Sequence, residues 1–298
     1  MTGLLVVGDV VTDVVARHRN PPTPATDTAA EIRTLPGGAG ANAACWAVRS
    51  GCQDVRLLGR AGDDAADWHA RALRRAGVRP LLVTDPHAAT ATVIALVDAS
   101  AERTFLTDSG AALRLSPADW SPGLLEGVAH LHLSGYLFFA APSRETARCA
   151  LRDARRAGIP VSVDPASAGF LAELGADRFL AATEGADVLF PNADEARLLT
   201  GLAEPEAAAV VLSRSFPLVA VTLGGAGALV AEAGAVTARV PAPEVRPVDS
   251  TGAGDAFTGA FLAARLAGAD AAEAAEAGCR AGAEAVTVVG GRPPYDDG

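Results

Sequence analysis

Short apolar segments recur along the chain, separated by longer stretches rich in alanine and arginine. Apolar runs of about four to eight residues that are bounded by turn residues are typical of buried strands. We predict such strands over residues 4–10, 55–62, 128–135, 159–165, 186–192 and 218–225.

The segments between these strands have the spacing of amphipathic helices. In residues 143–157, small or apolar side chains fall on one face and arginines on the other, and Gly158 follows as a stop signal. Similar patterns predict helices over residues 43–50, 65–76 and 193–200. Because strands and helices alternate, we predict an α/β fold with a mostly parallel sheet flanked by helices.

Two segments interrupt this alternation. Residues 17–36 are rich in proline and threonine, and residues 89–110 alternate apolar and polar positions around a turn near residues 99–102. The second pattern is typical of a half-buried antiparallel hairpin. We therefore predict a small β-sheet lid, formed by about residues 14–36 and 88–112 and inserted in a single domain that spans residues 1–298.

The composition of the chain limits which binding partners and which cellular compartment we expect. The net charge of −10 argues against non-specific binding to nucleic acid or to an anionic membrane. We find neither an apolar run of about 20 residues nor a signal peptide, so we expect a cytoplasmic protein. The four cysteines include no CxxC pair, which is typical of a chain with reduced thiols.

All 25 basic residues are arginine. The absence of lysine excludes any mechanism that needs a Schiff-base lysine. It also excludes the phosphate-binding GxxxxGK[ST] loop, whose lysine contacts the phosphates of a nucleotide.

Acids, amides and glycines follow several of the predicted strands. Ligands bind at the carboxyl ends of the strands in open α/β sheets, so we predict one shared active site there. The residues at these ends are Asp9, Asp13, Asp164, Asn192, Gly224 and Gly225.

The segment DSTGAGDAFTGAF, residues 249–261, places small residues before an acid at the start of a predicted helix. Backbone N–H groups at a helix start attract anions, and the glycines let a phosphate approach closely. Asp255 would then lie beside the phosphate and accept a proton from a substrate hydroxyl. An ordinary first-turn acid that stabilises its helix explains the same residues.

Asn192 and Glu195 lie three positions apart at the start of a predicted helix, directly after a strand. Their side-chain oxygens suit a hydrated Mg²⁺ ion, which binds oxygen ligands and keeps several waters. The same pair also fits a capping box, in which Asn192 is the N-cap.

The segment GGAGANAAC imitates a dinucleotide-binding fingerprint at Gly38, Gly40 and Ala43. That fingerprint must follow a buried strand, whereas the polar, proline-containing EIRTLP precedes this one. We therefore expect a loop whose backbone and Asn42 side chain contact a polyhydroxy substrate.

The remaining motifs are less specific. TLGGAGALV, residues 222–230, fits either a ligand-binding turn or a tight hairpin without a ligand. His130 and His132 form an HxH pair, but no further ligand follows at metal-binding spacing, so we expect buried packing residues.

Four of these segments, taken in order, resemble the signatures of the ribokinase-like, or PfkB, family of carbohydrate kinases. The segments are GGAGAN, ADVLFPNADEARLLTG, TLGGAGALV and DSTGAGDAFTGAF, and the resemblance runs from the first strand to about Gly291. It implies a Rossmann-like core with a β lid. It also implies ATP-dependent transfer of the γ-phosphoryl group to a hydroxyl, usually a CH₂OH group.

The resemblance also implies roles for individual residues. It assigns the catalytic base to Asp255 and the anion hole to Gly252, Ala253 and Gly254. It assigns Mg²⁺, bound through water, to Asn192 and Glu195, and the nucleotide to Asn192, Thr222, Gly224 and Gly227. By the same resemblance, Asp13, Gly38 and Asn42 bind sugar hydroxyls. Asp249 and Thr251 belong to a loop that binds a monovalent cation such as K⁺.

The chain departs from ribokinases near the acceptor. Ala39 stands where ribokinases often have lysine, Val11 stands where many have asparagine, and no acid follows SGYLFFA. With Phe105 and Tyr136 nearby, these changes favour a flatter, less polar acceptor, so a nucleoside kinase of the pseudouridine or adenosine type is the alternative. A silent sugar-binding sensor and an NAD-dependent oxidoreductase remain as alternatives of other classes. The exposed edge of the predicted lid also suits a homodimer.

Overall fold

The computed structural model describes residues 3–98 and 103–294, and its strands form two sheets. The strands are β1 Gly3–Val7, β2 Val11–His18, β3 Ala30–Gly37, β4 Val55–Gly62, β5 Arg79–Asp85, β6 Ala91–Val97, β7 Arg103–Asp108, β8 Val128–Ser134, β9 Val161–Asp164, β10 Val188–Leu189, β11 Leu218–Thr222, β12 Ala228–Glu232 and β13 Ala235–Val240. The helices are α1 Ala39–Arg49, α2 Ala66–Arg75, α3 Ala141–Arg156, α4 Ala168–Leu174, α5 Ala176–Ala182, α6 Ala193–Thr200, α7 Pro205–Leu212, α8 Ala253–Leu266 and α9 Ala271–Ala285.

The larger sheet has the strand order β13-β12-β11-β10-β9-β8-β1-β4-β5. Strands β1, β4, β5 and β8 to β11 run parallel, and β12 and β13 add an antiparallel edge. β1 pairs with β4 on one side and with β8 on the other, so the chain reverses its direction of winding there. The predicted α/β fold with a mostly parallel sheet is therefore confirmed.

Helices cover both faces of this sheet. On one face, α3 and α5 pack on the strands through residues such as Leu151 and Phe179. On the other face, α1, α8 and α9 bury residues such as Cys45 and Phe261. Fully burying a Leu or Phe side chain contributes about 1.5–3 kcal/mol, so this two-sided core supplies much of the stability.

The smaller sheet has the order β3-β2-β6-β7. β6 and β7 pair antiparallel, as the alternation of residues 89–110 predicts, whereas β2 and β6 pair parallel. The predicted turn near residues 99–102 lies outside the described residues. The inner face buries Val15, Ala95 and Val97, and the opposite face exposes Ile32 and Leu106.

The structure corrects one local prediction, the loop over residues 37–45. Helix α1 begins at Ala39, so Asn42 lies in its first turn and not in a loop. The helix starts early because the Asp9 carboxylate accepts hydrogen bonds from the N–H groups of Ala39 (2.7 Å) and Gly40 (3.1 Å). Asp9 thus satisfies two of the N–H groups that a helix start leaves without a carbonyl partner.

No helix within residues 3–98 and 103–294 combines the length and the apolar character needed to cross a membrane.

Candidate active site

A cleft of about 770 Å³ opens at the carboxyl ends of the parallel strands, beneath the inner face of the small sheet. Most of the residues predicted from the sequence line it. They are Asp13, Gly38, Asn42, Phe105, Asn192, Glu195, Thr222, Thr251, Gly252, Ala253, Gly254 and Asp255. The predicted residues Gly224, Gly227 and Asp249 are outside this lining.

Helix α8 begins at the cleft. Its N-cap, Gly252, has a left-handed backbone (φ 75°), and a Cβ there would lie 2.5 Å from the Cα of Gly291. Glycine is therefore required at this turn by both conformation and space. The first-turn N–H groups of a helix have no carbonyl partner within it and attract negative charge, so this helix start suits a phosphate.

Asp255 lies in the first turn of α8. The side-chain amide of Asn42 donates a 2.8 Å hydrogen bond from Nδ2 to Asp255 Oδ2. The pKa of Asp255 is raised well above its ordinary value, mainly by burial and then by the charge of Asp164, while the Asn42 hydrogen bond opposes the rise. A carboxylate with a raised pKa is a strong proton acceptor.

Close packing between α1 and α8 brings Asn42 to Asp255. A Cβ at Gly259 would lie 2.4 Å from the carbonyl oxygen of Ala43, so the two helix backbones nearly touch. On α1, Trp46 donates through Nε1 to the carbonyl of Gly291 (3.0 Å). The structure thus places the predicted substrate residue Asn42 on the predicted base.

Asn192 and Glu195 form the capping box that the sequence allows. Asn192 Oδ1 accepts from the Glu195 N–H, Glu195 Oε2 accepts from the Asn192 N–H, and both distances are 2.9 Å. Nevertheless, both residues line the cleft, and the Glu195 side chain is buried there. Capping and ligand binding are compatible because the Glu195 carboxylate has a second oxygen, Oε1, besides the one that accepts from Asn192.

Asp164, at the end of β9, is the charged group that affects Glu195 most. Burial raises the pKa of each carboxyl, and the charge of Asp164 raises the pKa of Glu195 further. A buried carboxyl whose pKa is raised by the charge of a neighbouring acid favours a cation between the two. The sequence placed Asp164 at a strand end but gave it no role; only its spatial neighbour reveals one.

Among the described residues, no group of three or more His, Cys, Asp or Glu side chains forms a complete metal-binding cluster. The pair Asp164 and Glu195 therefore suits an ion that keeps most of its waters, as Mg²⁺ does.

Asp13 lines the cleft from β2 of the small sheet, together with Gly38. Its pKa is raised to about 7 by burial and by the charges of Asp9 and Asp249, and Arg292 opposes the rise. The carboxylate rests against Gly37, where a Cβ would lie 2.0 Å from Oδ2. Asp13 can therefore accept hydrogen bonds from hydroxyl groups in the cleft when it is ionised.

Asp9 accounts for the glycine fingerprint. Besides the N–H groups at the start of α1, it accepts a hydrogen bond from the Ser134 hydroxyl (2.8 Å). A carboxylate thus stands where a dinucleotide pyrophosphate would bind, and the preceding strand, β3, belongs to the small sheet. The arrangement lacks both features that the fingerprint needs.

The predicted nucleotide residues divide into two groups. Thr222 lines the cleft and bridges to Asn192 of the neighbouring strand end. Gly224 and Gly227 form the turn of an antiparallel hairpin, in which the Leu223 N–H donates to the Gly227 carbonyl (2.7 Å). Gly227 has φ 98°, and a Cβ would collide with the Val240 carbonyl, so the turn itself requires glycine.

Asp249 and Thr251 lie in the loop before α8. Asp249 is buried, and its carboxylate accepts from the N–H groups of Thr251 (2.7 Å) and Gly290 (3.0 Å). The loop that leads into the anion-binding turn is therefore tied to the segment after α9.

Aromatic side chains line the cleft from both sides. Phe105 lines it from β7 of the small sheet, and Tyr136 and Phe170 line it from the core. The Tyr136 and Phe170 ring centroids are 5.9 Å apart, and Phe139 stacks on Phe170 at 5.2 Å. The sequence pattern missed Phe170, since a single aromatic in a helical segment usually indicates packing.

His130 and His132 are buried in β8, as predicted. Both imidazoles hydrogen-bond the Ser162 hydroxyl at 2.9 Å, and burial lowers the pKa of each. Neutral, paired histidines of this kind stabilise the core.

Comparison with known proteins agrees with this geometry. A sequence model of the pfkB family of carbohydrate kinases matches residues 1–297. A fructokinase from Klebsiella pneumoniae is 33% identical over 271 residues, which cover 87% of this chain and 82% of the relative. A ribokinase from Bacillus subtilis is 30% identical over 278 residues, which cover 91% of this chain and 88% of the relative.

A solved structure extends the comparison to three dimensions. The crystal structure of a candidate ribokinase II from Escherichia coli, in complex with ATP and Mg²⁺, matches with a TM-score of 0.86 and 25% identity. The match covers 98% of this chain and 94% of that one. By sequence over nearly its whole length, and by fold, this chain belongs to the pfkB family of carbohydrate kinases and is a phosphotransferase that acts on a hydroxyl group.

Proposed function

We propose that this chain uses ATP to phosphorylate the hydroxyl of a CH₂OH group on a sugar or sugar-like small molecule. The observation that carries the proposal is the position of Asp255. It lies in the first turn of α8, beside the backbone of Gly252, Ala253 and Gly254, within the cleft. Proton acceptor and anion-binding backbone are thus combined in one helix start.

Asp255 takes the proton of the acceptor hydroxyl as that oxygen attacks the γ-phosphorus. A new O–P bond forms, and the bond between the γ-phosphorus and the bridging oxygen of ADP breaks. Because Asn42 holds Oδ2 of Asp255, Oδ1 is the atom available to the hydroxyl. The N–H groups of the α8 start stabilise the charge on the phosphoryl oxygens.

Glu195, Asn192 and Asp164 would hold Mg²⁺, which neutralises phosphate charge when bound. No arginine lines the cleft in the described part of the chain, so the α8 start and bound cations must balance the charge of ATP. The same need favours a monovalent cation such as K⁺ at the loop of Asp249 and Thr251. On the far side of the cleft, Thr222 and the hairpin of Gly224 and Gly227 suit the nucleotide.

Asp13, Gly38 and the inner face of the small sheet suit the hydroxyls of the acceptor. Closure of that sheet as a lid would exclude water from the transfer. The aromatic side chains in the cleft, Phe105, Tyr136 and Phe170, favour a second candidate acceptor. This candidate is a nucleoside whose base packs against these rings. Because the described residues that line the cleft include no cationic side chain, we propose uncharged acceptors in both cases.

A panel assay tests the function. ADP release is measured with ATP, Mg²⁺ and either K⁺ or tetramethylammonium, for fructose, ribose, adenosine, pseudouridine and fructose 6-phosphate. We expect turnover with a neutral acceptor, little with the phosphate ester and more in K⁺. Acceptors that bind without turnover would indicate a silent sensor, and a phosphorylated acceptor above all others would contradict the proposed site.

We also propose a homodimer formed through the small sheet. Ile32, Ile94 and Leu106 share its outer face, and Ile32 and Leu106 are 65% and 56% exposed. Contiguous apolar faces of this kind mark interaction sites. Leu106→Lys should convert a dimer to a monomer in sedimentation, whereas Val211→Lys, at an exposed apolar position of α7, should not.

The cysteines suit the cytoplasm, where we place this activity. Cys45 and Cys279 are buried thiols, and burial raises the pKa of each. Protonated, buried thiols are inert and persist in a reducing compartment.

A further inference from the structure

Arg292, just after α9, is a buried arginine of which the cleft makes no direct use. It is 6% exposed, and its Nη2 donates a hydrogen bond to the Gly37 carbonyl (3.1 Å). Its Nε and Nη1 are buried and have no hydrogen-bond partner among residues 3–98 and 103–294. A buried cation with so little hydrogen bonding is costly unless nearby charge compensates it.

Asp13 supplies negative charge that compensates the Arg292 guanidinium. The charges of Asp9 at the end of β1, Asp249 in the loop before α8, and Arg292 act on the Asp13 carboxyl, and the charge of Asp13 in turn acts on Asp255 at the start of α8. Three of these four neighbours are acids, and Arg292 is the cation among them. Arg292 also bonds the Gly37 peptide, against which the Asp13 carboxylate rests.

The segment that carries Arg292 is fixed by the site itself. The Gly290 N–H donates to Asp249, and the Gly291 carbonyl accepts from Trp46 of α1. The Cα of Gly291 packs against Gly252, the N-cap of α8. Arg292 is therefore held in one position relative to the acceptor side of the cleft.

We propose that Arg292 is a positioning residue of the acceptor site: its guanidinium fixes the Gly37 peptide beside Asp13 and balances the Asp13 charge, so that Asp13 binds acceptor hydroxyls as a carboxylate. This inference rests on the proposed role of Asp13 in acceptor binding. It is supported by a pKa of Asp13 that stands at about 7 even with Arg292 present.

The test compares Arg292→Gln with Arg292→Lys and wild type. KM for the acceptor, KM for ATP and the calorimetric acceptor Kd are measured from pH 6 to pH 9. An opposite charge near a carboxyl commonly lowers its pKa by about 1–3 units. In Arg292→Gln we therefore expect the acid limb of acceptor binding to move up by at least about one pH unit. At pH 7 the acceptor KM should rise at least about fivefold, with KM for ATP unchanged.

At pH 9 the Gln variant should recover acceptor binding, since Asp13 is then ionised without help. A merely structural role predicts a defect that does not depend on pH, and that result would overturn the inference. The Lys variant retains the charge, so its acid limb should match wild type. If the Gln variant does not fold, a displaced acid limb in the Lys variant would overturn the inference instead.

Asp13→Asn separates this inference from the function on which it rests. If Asp13→Asn leaves acceptor binding intact, the proposed role of Asp13 fails. If Asp13→Asn abolishes binding while Arg292→Gln behaves as wild type at every pH, only the inference about Arg292 fails.

Discussion

Two acids of the cleft, Asp255 and Glu195, both have raised pKa values, yet their neighbours suit them to different tasks. The side-chain amide of Asn42 bonds one oxygen of Asp255, and in the proposed mechanism the other oxygen receives the proton of the hydroxyl. Glu195 has one oxygen on the N–H of Asn192 and faces another carboxyl, Asp164. The first arrangement suits proton transfer, and the second suits a cation.

Glu195→Gln removes the charge but keeps a side-chain oxygen that can accept from the Asn192 N–H. We expect the fold to keep its stability and the Mg²⁺ concentration for half-maximal rate to rise roughly 10–100-fold. The Mg²⁺ concentration for half-maximal rate is measured from initial rates at saturating substrates over a range of Mg²⁺ concentrations. The control is Asp194→Asn, which removes a 67% exposed carboxylate beside Glu195. An Mg²⁺ titration that shifts equally in both variants would contradict the assignment.

At the scale of elements, the contact between α1 and α8 joins Asn42, a proposed acceptor-binding residue, to Asp255, the proposed base. Asn42 and Asp255 are 213 positions apart in sequence and meet because Gly259 brings the helix backbones together. The geometry of the proposed base, Asp255, therefore depends on the packing contact at Gly259.

Gly259→Ala tests this dependence. The added methyl would lie 2.4 Å from the Ala43 carbonyl, so the helices must separate. Overpacking of this kind costs about 1–3 kcal/mol in the free energy of unfolding, more than alanine gains in helix propensity. We therefore expect a lower free energy of unfolding, measured with denaturant, and a lower kcat.

The matched control is Gly169→Ala in α4, where the nearest atom to the new methyl is 3.9 Å away. We expect no loss of stability there. Equal stability for the two variants would mean that the contact between α1 and α8 is less tight than described.

The sequence predicted elements well where local pattern determines them. The strand over residues 55–62 and the helix over residues 193–200 were predicted with their observed bounds, because a buried apolar run and a capped helix are local signals. The start of α1 was missed because Asp9, thirty positions earlier, caps it. Neither the Asn42–Asp255 hydrogen bond nor the place of Arg292 has a local signal, since each depends on tertiary packing.

At the scale of the whole molecule, the cleft collects negative charge. Asp13, Asp164, Glu195 and Asp255 all have raised pKa values, chiefly through burial. The folded state therefore holds protons that the unfolded chain, with ordinary carboxyl pKa values, has already lost at neutral pH. Ionisation of these carboxyls therefore costs free energy in the ligand-free protein, and cations bound as proposed would offset that cost.

This linkage predicts the pH dependence of stability. A raised carboxyl pKa stabilises the fold at low pH, and the contribution is lost as pH rises through the folded value, which for Asp13 is about 7. Below about pH 6.5 the histidines act in the opposite sense, because the pKa values of His69, His130 and His132 are lowered by burial.

We therefore expect the Tm of the ligand-free protein in EDTA to fall between pH 6.5 and pH 8.5. Excess Mg²⁺ and ATP should reduce the fall, because Mg²⁺ bound as proposed favours the ionised carboxylates of the folded state. Thermal unfolding followed by circular dichroism measures both. A Tm that rises over this interval would show that the carboxyls are not strained as described.

The most direct test of the account is the pair of measurements kcat and ATP affinity for Asp255→Asn. Asparagine keeps the shape of the side chain and an oxygen that can accept from Asn42, but it is not a proton acceptor at neutral pH. We predict that kcat falls about 10²–10⁴-fold while calorimetric ATP affinity stays near that of wild type. Turnover close to wild type would contradict the assignment of Asp255 as the base, and with it the proposed mechanism.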